Sequence, residues 1–319
     1  MLKKIMVLMA VVFFGANVFA QSMDDAGTSY NEGSEKYAAK DYAGAITSFE
    51  DALSVCNDVG FEADALKENV QKQLNNSYYK NAISLYKKRK YDDAISFFRK
   101  SLNLSEEIGD NSKKSKDINY IAKVYSTKGL TLIKEKKLDE ALIEYDAAHV
   151  IKPTCVNAFY GKALVYKEKG DLTLMMENAD KAIENGAGNS KAAKYVGKTK
   201  SLASKALLNE GTTELSKEHG AKAAEYLNAS MKYAKGTADT YYYLAIAYNK
   251  SKAYSKAIEA ANKALELNEG DKSDIYFEIG QANEGNGNAS GACAAYKKVT
   301  GGNNIETAKY QMTTVLKCS

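Results

Sequence analysis

Tryptophan is absent from this sequence, proline occurs once, at Pro153, and only Arg89 and Arg99 are arginine. A single proline leaves long helices uninterrupted, because proline removes a backbone donor and clashes with the preceding turn. Scarce arginine removes the side chain that reads phosphates and bases bidentately. The lysines that supply nearly all the positive charge alternate with acidic residues, as on solvated helix faces. No nucleic-acid partner is expected. Histidine is almost missing too. His149 and His219 belong to no pattern that would pair a base with a nucleophile. With Cys56, Cys155, Cys293 and Cys318 they match no metal-ligand spacing. The Gly-rich stretches at 285–292 and 301–304 lack the Lys-Ser/Thr of a phosphate loop. The sequence therefore calls for no cofactor, no metal and no catalytic residue, and an enzyme is the last of the readings.

What is present is an abundance of Ala, Lys, Leu and Glu, all good helix formers, and 23 tyrosines. The 319 residues fit either one large domain or two ordinary ones. The start, "MLKKIMVLMAVVFFGANVFA", has Lys3 and Lys4 before an apolar run and Val18-Phe19-Ala20 at its end. This is the layout of a cleaved signal peptide over 1–20. The run is shorter than the roughly 20 apolar residues of a membrane span, and an uncleaved anchor is the alternative. Residues 21–25 then read as a short linker. An exported, periplasmic or cell-envelope protein is expected, with no stable membrane insertion after processing. In an exported chain the four cysteines are candidates for disulfides.

The stretch "KKRKYDDAISFFRK" (87–100) carries a basic run followed by one apolar helix face, Tyr91, Ala94, Ile95 and Phe98. Its second half recurs at Lys40, Lys136 and Lys252, at Lys40 without the basic run, so the spacing is the signal. Twelve positions before each central alanine lies a second small residue: Gly33, Ala82, Gly129 and Ala245. Tyr125, Gly129, Leu132, Leu138, Ala141, Tyr145, Ala148 and Pro153 form one full unit, and Tyr241, Leu244, Ala245, Tyr248, Tyr254, Ala257, Ala264 and Leu267 another. In these positions the chain resembles the tetratricopeptide repeat, a helix-turn-helix unit of about 34 residues.

The resemblance covers residues 26–306 and implies an all-α fold: a right-handed α-solenoid of about seven repeats with a capping helix at 307–319. Units start near residues 26, 75, 122, 156, 204, 238 and 273. Met175 replaces the usual alanine in the fourth. Three spacings exceed a single repeat, and segments such as 61–74 and 191–204 are expected to lengthen helices at the junctions. A single repeat cannot bury its apolar face, so stacking builds one core and the ends need caps. Ala308, Met312, Val315 and Leu316 form the expected cap face. The resemblance also implies a non-catalytic scaffold that docks a protein or peptide in a groove lined by first helices. The candidate groove residues are Tyr30, Tyr37, Tyr79, Tyr86, Tyr160, Tyr242 and Phe277, although tyrosine at these places also serves helix packing. A structural or accessory part in an envelope assembly or secretion complex is the alternative. In this frame Cys293 and Cys318 fall together, where a disulfide would staple the cap.

Overall fold

The computed structural model describes residues 22–318, and every regular element among them is helical. The expected signal peptide lies outside the described residues. Helix α1 covers residues 22–38. Next come α2 (Tyr42–Val59), α3 (Asp64–Lys87), α4 (Tyr91–Glu107), α5 (Asn111–Lys134) and α6 (Leu138–Ile151). Helices α7 (Val156–Lys169), α8 (Leu172–Gly186), α9 (Ala193–Ser216) and α10 (Gly220–Met231) follow. The last are α11 (Ala238–Lys250), α12 (Tyr254–Leu267), α13 (Ser273–Gly285), α14 (Ala289–Tyr296) and the short α15 (Ile305–Tyr310). The chain divides into two compact units, one through Gly161 and one from Lys162, with the division inside α7.

The same turn closes every helix pair. One residue takes a left-handed conformation: Lys40, Arg89, Lys136, Gly170, Glu218, Lys252 and Gly287, with φ between 60° and 78°. The amide after it reaches back to the carbonyl five residues earlier, as from Asp41 to Lys36, Lys90 to Leu85, Ala253 to Tyr248 and Asn288 to Asn283. This hydrogen bond satisfies a carbonyl that the helix end leaves open. A non-glycine side chain at such a φ costs about 1 kcal/mol, and five of the seven turns bear that cost. The next residue starts the second helix, and Asp41, Asp171 and Asn288 cap it through their side chains.

Between the two helices of a pair, a small residue on the first faces a large one sixteen positions later on the second. A Cβ on Gly33 would lie 2.7 Å from the Phe49 ring, and one on Gly129 2.8 Å from Tyr145. Ala82 and Phe98 share a core cluster in the same relation. Phe49, Phe98, Tyr145 and Tyr296 are sealed from solvent. Burying each contributes about 1.5–3 kcal/mol, so this contact is the main fastener of a pair. In the fourth pair Met175, at the usual alanine position, is fully buried in one core cluster with Ala163 and Ala179.

In the first unit α2 packs on α3, α3 on α4, α4 on α5 and α5 on α6. In the second, α8 to α14 do the same, and α9, α11 and α13 also touch as successive first helices. This is the arrangement of an α-solenoid. Helices α3, α5 and α9 each run 24 residues against 13 for α11. The additional residues of the long spacings lie at the front of these first helices.

The expected cap face needs one correction. After α15 the backbone widens into a π turn over Gln311–Val315, with the Leu316 amide bonding to the Gln311 carbonyl. A π turn takes an extra residue, which rotates the following side chains. Ala308 is buried and Met312 and Leu316 pack against the core, but Val315 is turned out and exposed. Cys318 is joined to Cys293 on α14, with Cα atoms 5.8 Å apart. Cys56 and Cys155 are free and buried.

Candidate functional site

The candidate groove residues all lie on first helices, half-buried except Phe277. In the first unit Tyr30 packs on Phe49 at 5.8 Å and Tyr37 meets Tyr42 edge-on at 5.4 Å. Tyr79 stands edge-on to Phe98 and Tyr120, and Phe98 and Tyr120 stack at 5.2 Å. Lysines cover this aromatic row: Lys113 over Tyr79, and Lys123 over Tyr86 and Tyr120, all between 5.2 and 5.4 Å. Burial, with Tyr120 and Asp117 nearby, pushes the Tyr79 phenol up to about 12. Tyr86 meets the Thr127 hydroxyl at 3.1 Å, and Tyr160 lies on α7. In the second unit Tyr242 is raised to about 12 by burial and by Glu278 and Asp274. Phe277 differs from the other candidates. It is buried against Tyr296, Ala292, Val299 and Ala308, and works as core.

Beside Glu214, which is also buried, two enclosed carboxylates carry no role in the sequence reading. Asp117 on α5 is fully enclosed with Asn75, Ser101 and Ser105. Its Oδ2 faces Ser101 Oγ at 2.8 Å and Ser105 Oγ at 3.3 Å. Ser101 Oγ also lies 2.7 Å from Asn75 Oδ1, while the Asn75 amide donates to Ser105 at 2.9 Å. Ser101 has one hydroxyl hydrogen and cannot serve both oxygens. With a proton on Asp117 Oδ2 the ring closes: Asp117 donates to Ser101, Ser101 to Asn75, Asn75 to Ser105, and Ser105 back to Asp117. Burial, only partly offset by these hydroxyls and by Lys113, moves this acid up to about 6.

The second acid is Glu278 on α13, buried with 7% exposure. It borders a cleft of about 570 Å³ shared by α11, α13, Tyr254, Tyr296 and the terminal segment. Burial raises its pKa, against the lowering effect of Asn249 and Lys250. Both acids carried a signal. Asp117 stands four residues before Ile121 and seven before Val124, and Glu278 stands between Ile275 and Ala282 on one helix face, so each interrupts an apolar stripe. The two histidines are structural in their contacts. His149 stacks edge-on to Phe159, and His219 bonds Glu214 at 2.8 Å. Hydrogen bonds from Lys217 and His219 hold Glu214 down to about 2.

A row of identical turns and small-on-large helix contacts defines a helical-repeat protein. The tetratricopeptide-repeat model matches residues 208–272, from the end of α9 through α12, so this part of the chain is similar to tetratricopeptide repeats. The chain is 30% identical over 135 residues to the peptidyl-prolyl cis-trans isomerase CYP7 of Saccharomyces cerevisiae. That match takes in 41% of this chain and spans about a third, 32%, of the yeast protein. Among solved structures, MamA is similar at 20% identity with a TM-score of 0.35, over 61% of this chain and 95% of that one. YrrB, described as a TPR protein with an unusual peptide-binding site, gives 18% and 0.34 over 55% and 83%. The tetratricopeptide fold is in general a non-catalytic scaffold for protein–protein interaction. No helix among the described residues is long and apolar enough to cross a membrane.

Proposed function

We propose that this is an exported scaffold that docks a polypeptide on its first-helix face in each unit, without catalysis. The observation that carries the reading is the set of half-buried tyrosines on successive first helices, Tyr79 and Tyr86 with their lysine covers, and Tyr242 beside Glu278. Tyrosine offers rigid contact area at a low entropic cost, and a half-buried ring on a packed helix is already positioned. The export half of the proposal rests on the signal-like residues 1–20.

Photo-crosslinking in the source cell from Tyr79 and Tyr242, with Lys181 on a second helix as control, tests the docking face. Capture of the same defined polypeptide from the first-helix positions and not from Lys181 is expected. Equal yield from all three positions would count against the docking face. Fractionation and N-terminal sequencing test export, and a mature N-terminus at Met1 in the cytoplasm would defeat it. An accessory role in an envelope assembly draws on Ile143 and Val150, exposed apolar residues seven apart on α6. Stable co-purification lost on changing both to Ser would favour that role.

A further inference from the structure

The Glu278 cleft contains two buried acceptors without donors. The Asn249 side-chain nitrogen donates twice to Glu278, to Oε2 at 2.7 Å and to the backbone carbonyl at 3.0 Å. Those two bonds use both amide hydrogens and set the amide's orientation, because a flip would place its oxygen against two acceptors. Asn249 Oδ1 is consequently buried with no donor, and Gln311 Oε1, in the same lining, is buried with no donor either. Three other donors of the lining are engaged elsewhere, the Asn304 amide bonding Asp274 at 2.9 Å. Tyr296 donates to Glu284 at 2.8 Å, and the Lys250 ammonium bonds Glu218.

Charge points the same way. Glu278 and Glu284 border the cleft with Lys250 as the one cation of its lining, and Asp274 adds negative potential at Glu278. The Glu278 carboxylate accepts a single side-chain hydrogen bond, from a neutral amide. A buried carboxylate held this way is costly, and an unmade bond to a buried acceptor costs about 1–3 kcal/mol. Tyr254 in the wall is half-buried and offers aromatic surface that suits an alkyl stem and the face of a cation.

We propose that the cleft of α11 and α13 receives a lysine or arginine side chain of the docked polypeptide, its nitrogen donating to Glu278, Asn249 Oδ1 and Gln311 Oε1. The two amide oxygens are covered by the lining itself, so the entering cation reaches Glu278 first and the amide oxygens only as the lining over them opens, with the Asn249 amide still bonded to Glu278. The inference rests on the reading of the first-helix face as the docking face. Lys250 bonds Glu218, and Glu278 accepts no hydrogen bond from a cation of the lining.

The test uses the whole mature chain and four synthetic peptide libraries. Each has degenerate positions around a fixed central Arg, Lys, citrulline or Glu. The Arg and Lys libraries are expected to be retained at least about tenfold better than citrulline or Glu, as for a buried charge contact. Glu278→Gln, close in shape, should erase that preference while its melting curve stays cooperative. Glu284→Gln, whose acid is already engaged by Tyr296, should retain it. Retention of all four libraries alike, with a crosslink at Tyr242, overturns the cationic pocket and leaves the docking face intact. Retention of none overturns both. Equal binding of free arginine amide and of the Arg library would show a small-amine site and overturn the peptide assignment.

Discussion

Asp117 in the first unit and Glu278 in the second are both acids inside an apolar stripe, yet their surroundings differ. Asp117 is sealed within a ring that one proton completes, built from Asn75, Ser101 and Ser105. Glu278 borders a cleft, beside amide oxygens that lack donors. Asp117 has Oδ2 bonded within the ring while its Oδ1 is buried with no donor, and Glu278 has one side-chain donor beside a cleft whose amide oxygens lack theirs. The scaffold thus holds one buried carboxylate among its own hydroxyls and the other at a cleft, where the proposed docked cation would supply the donor.

The largest expected effect separates the two sites by their supports. Gln311 lies in the terminal segment held by Cys293–Cys318, a link across 25 residues. Changing both cysteines to Ser should cost about 3 kcal/mol. Hydrogen exchange should rise over residues 305–318 and leave α3 to α5 unchanged. Increased exchange around Asp117 would show that the two sites are not independent.

Next in size is removal of the enclosed acid. Asp117→Ala leaves Ser101, Ser105 and Asn75 short of partners and should cost about 2–3 kcal/mol in denaturant unfolding. Glu278→Gln should cost less than about 1 kcal/mol, since an amide of the same shape relieves the buried charge. Equal losses would erase the distinction between a closed ring and an open cleft.

A smaller effect is pH-dependent. A folded-state pKa of about 6 for Asp117 lies above the ordinary carboxylate value, so the folded state binds the proton more tightly than the unfolded chain. Stability should therefore fall as pH rises through 6. The loss between pH 5 and 7 is about 1 kcal/mol. Asp117→Asn should flatten that part of the profile in urea midpoints taken across the range. Glu278 acts in the same direction, and a bound basic peptide should suppress its share alone.

The smallest effect concerns the left-handed turns. Arg89→Gly removes side-chain strain at φ 60°, offset by the greater freedom of glycine in the unfolded chain, and should gain about 0.5 kcal/mol. Glu218→Gly, at φ 64°, releases Lys250 as well. The freed ammonium can then turn to Glu278, so weaker basic-peptide binding should accompany little stability change. Thermal melts and the peptide titration read the two together.

Much of this fold was legible because its contacts recur at fixed intervals. Gly33 to Ala45, Gly129 to Ala141 and Ala245 to Ala257 repeat one spacing, and it predicts the same pair of helices each time. The groove was less legible. Tyr242 and Phe277 occupy the same place in their repeats, but Phe277 packs under Tyr296 while Tyr242 stays half-buried. Periodicity states which side of a helix a residue occupies, not how deeply the next helix covers it. Val315 shows a second limit, since a single π turn rotated it out of a face that ideal spacing assigned to it.

Local chemistry alone determined the helices, the turns and the small-to-large fasteners, because each depends on residues within about one repeat of the chain. Tertiary structure decided the meaning of the acids. In the sequence Asp117 and Glu278 only interrupt an apolar stripe; in the fold Ser101 and Ser105 from α4 close around one, and Asn249 from α11 and Gln311 from the terminal turn border the other. Burial and hydrogen-bond supply arise between elements far apart in sequence, and they made one carboxylate part of the frame and the other the heart of a cleft.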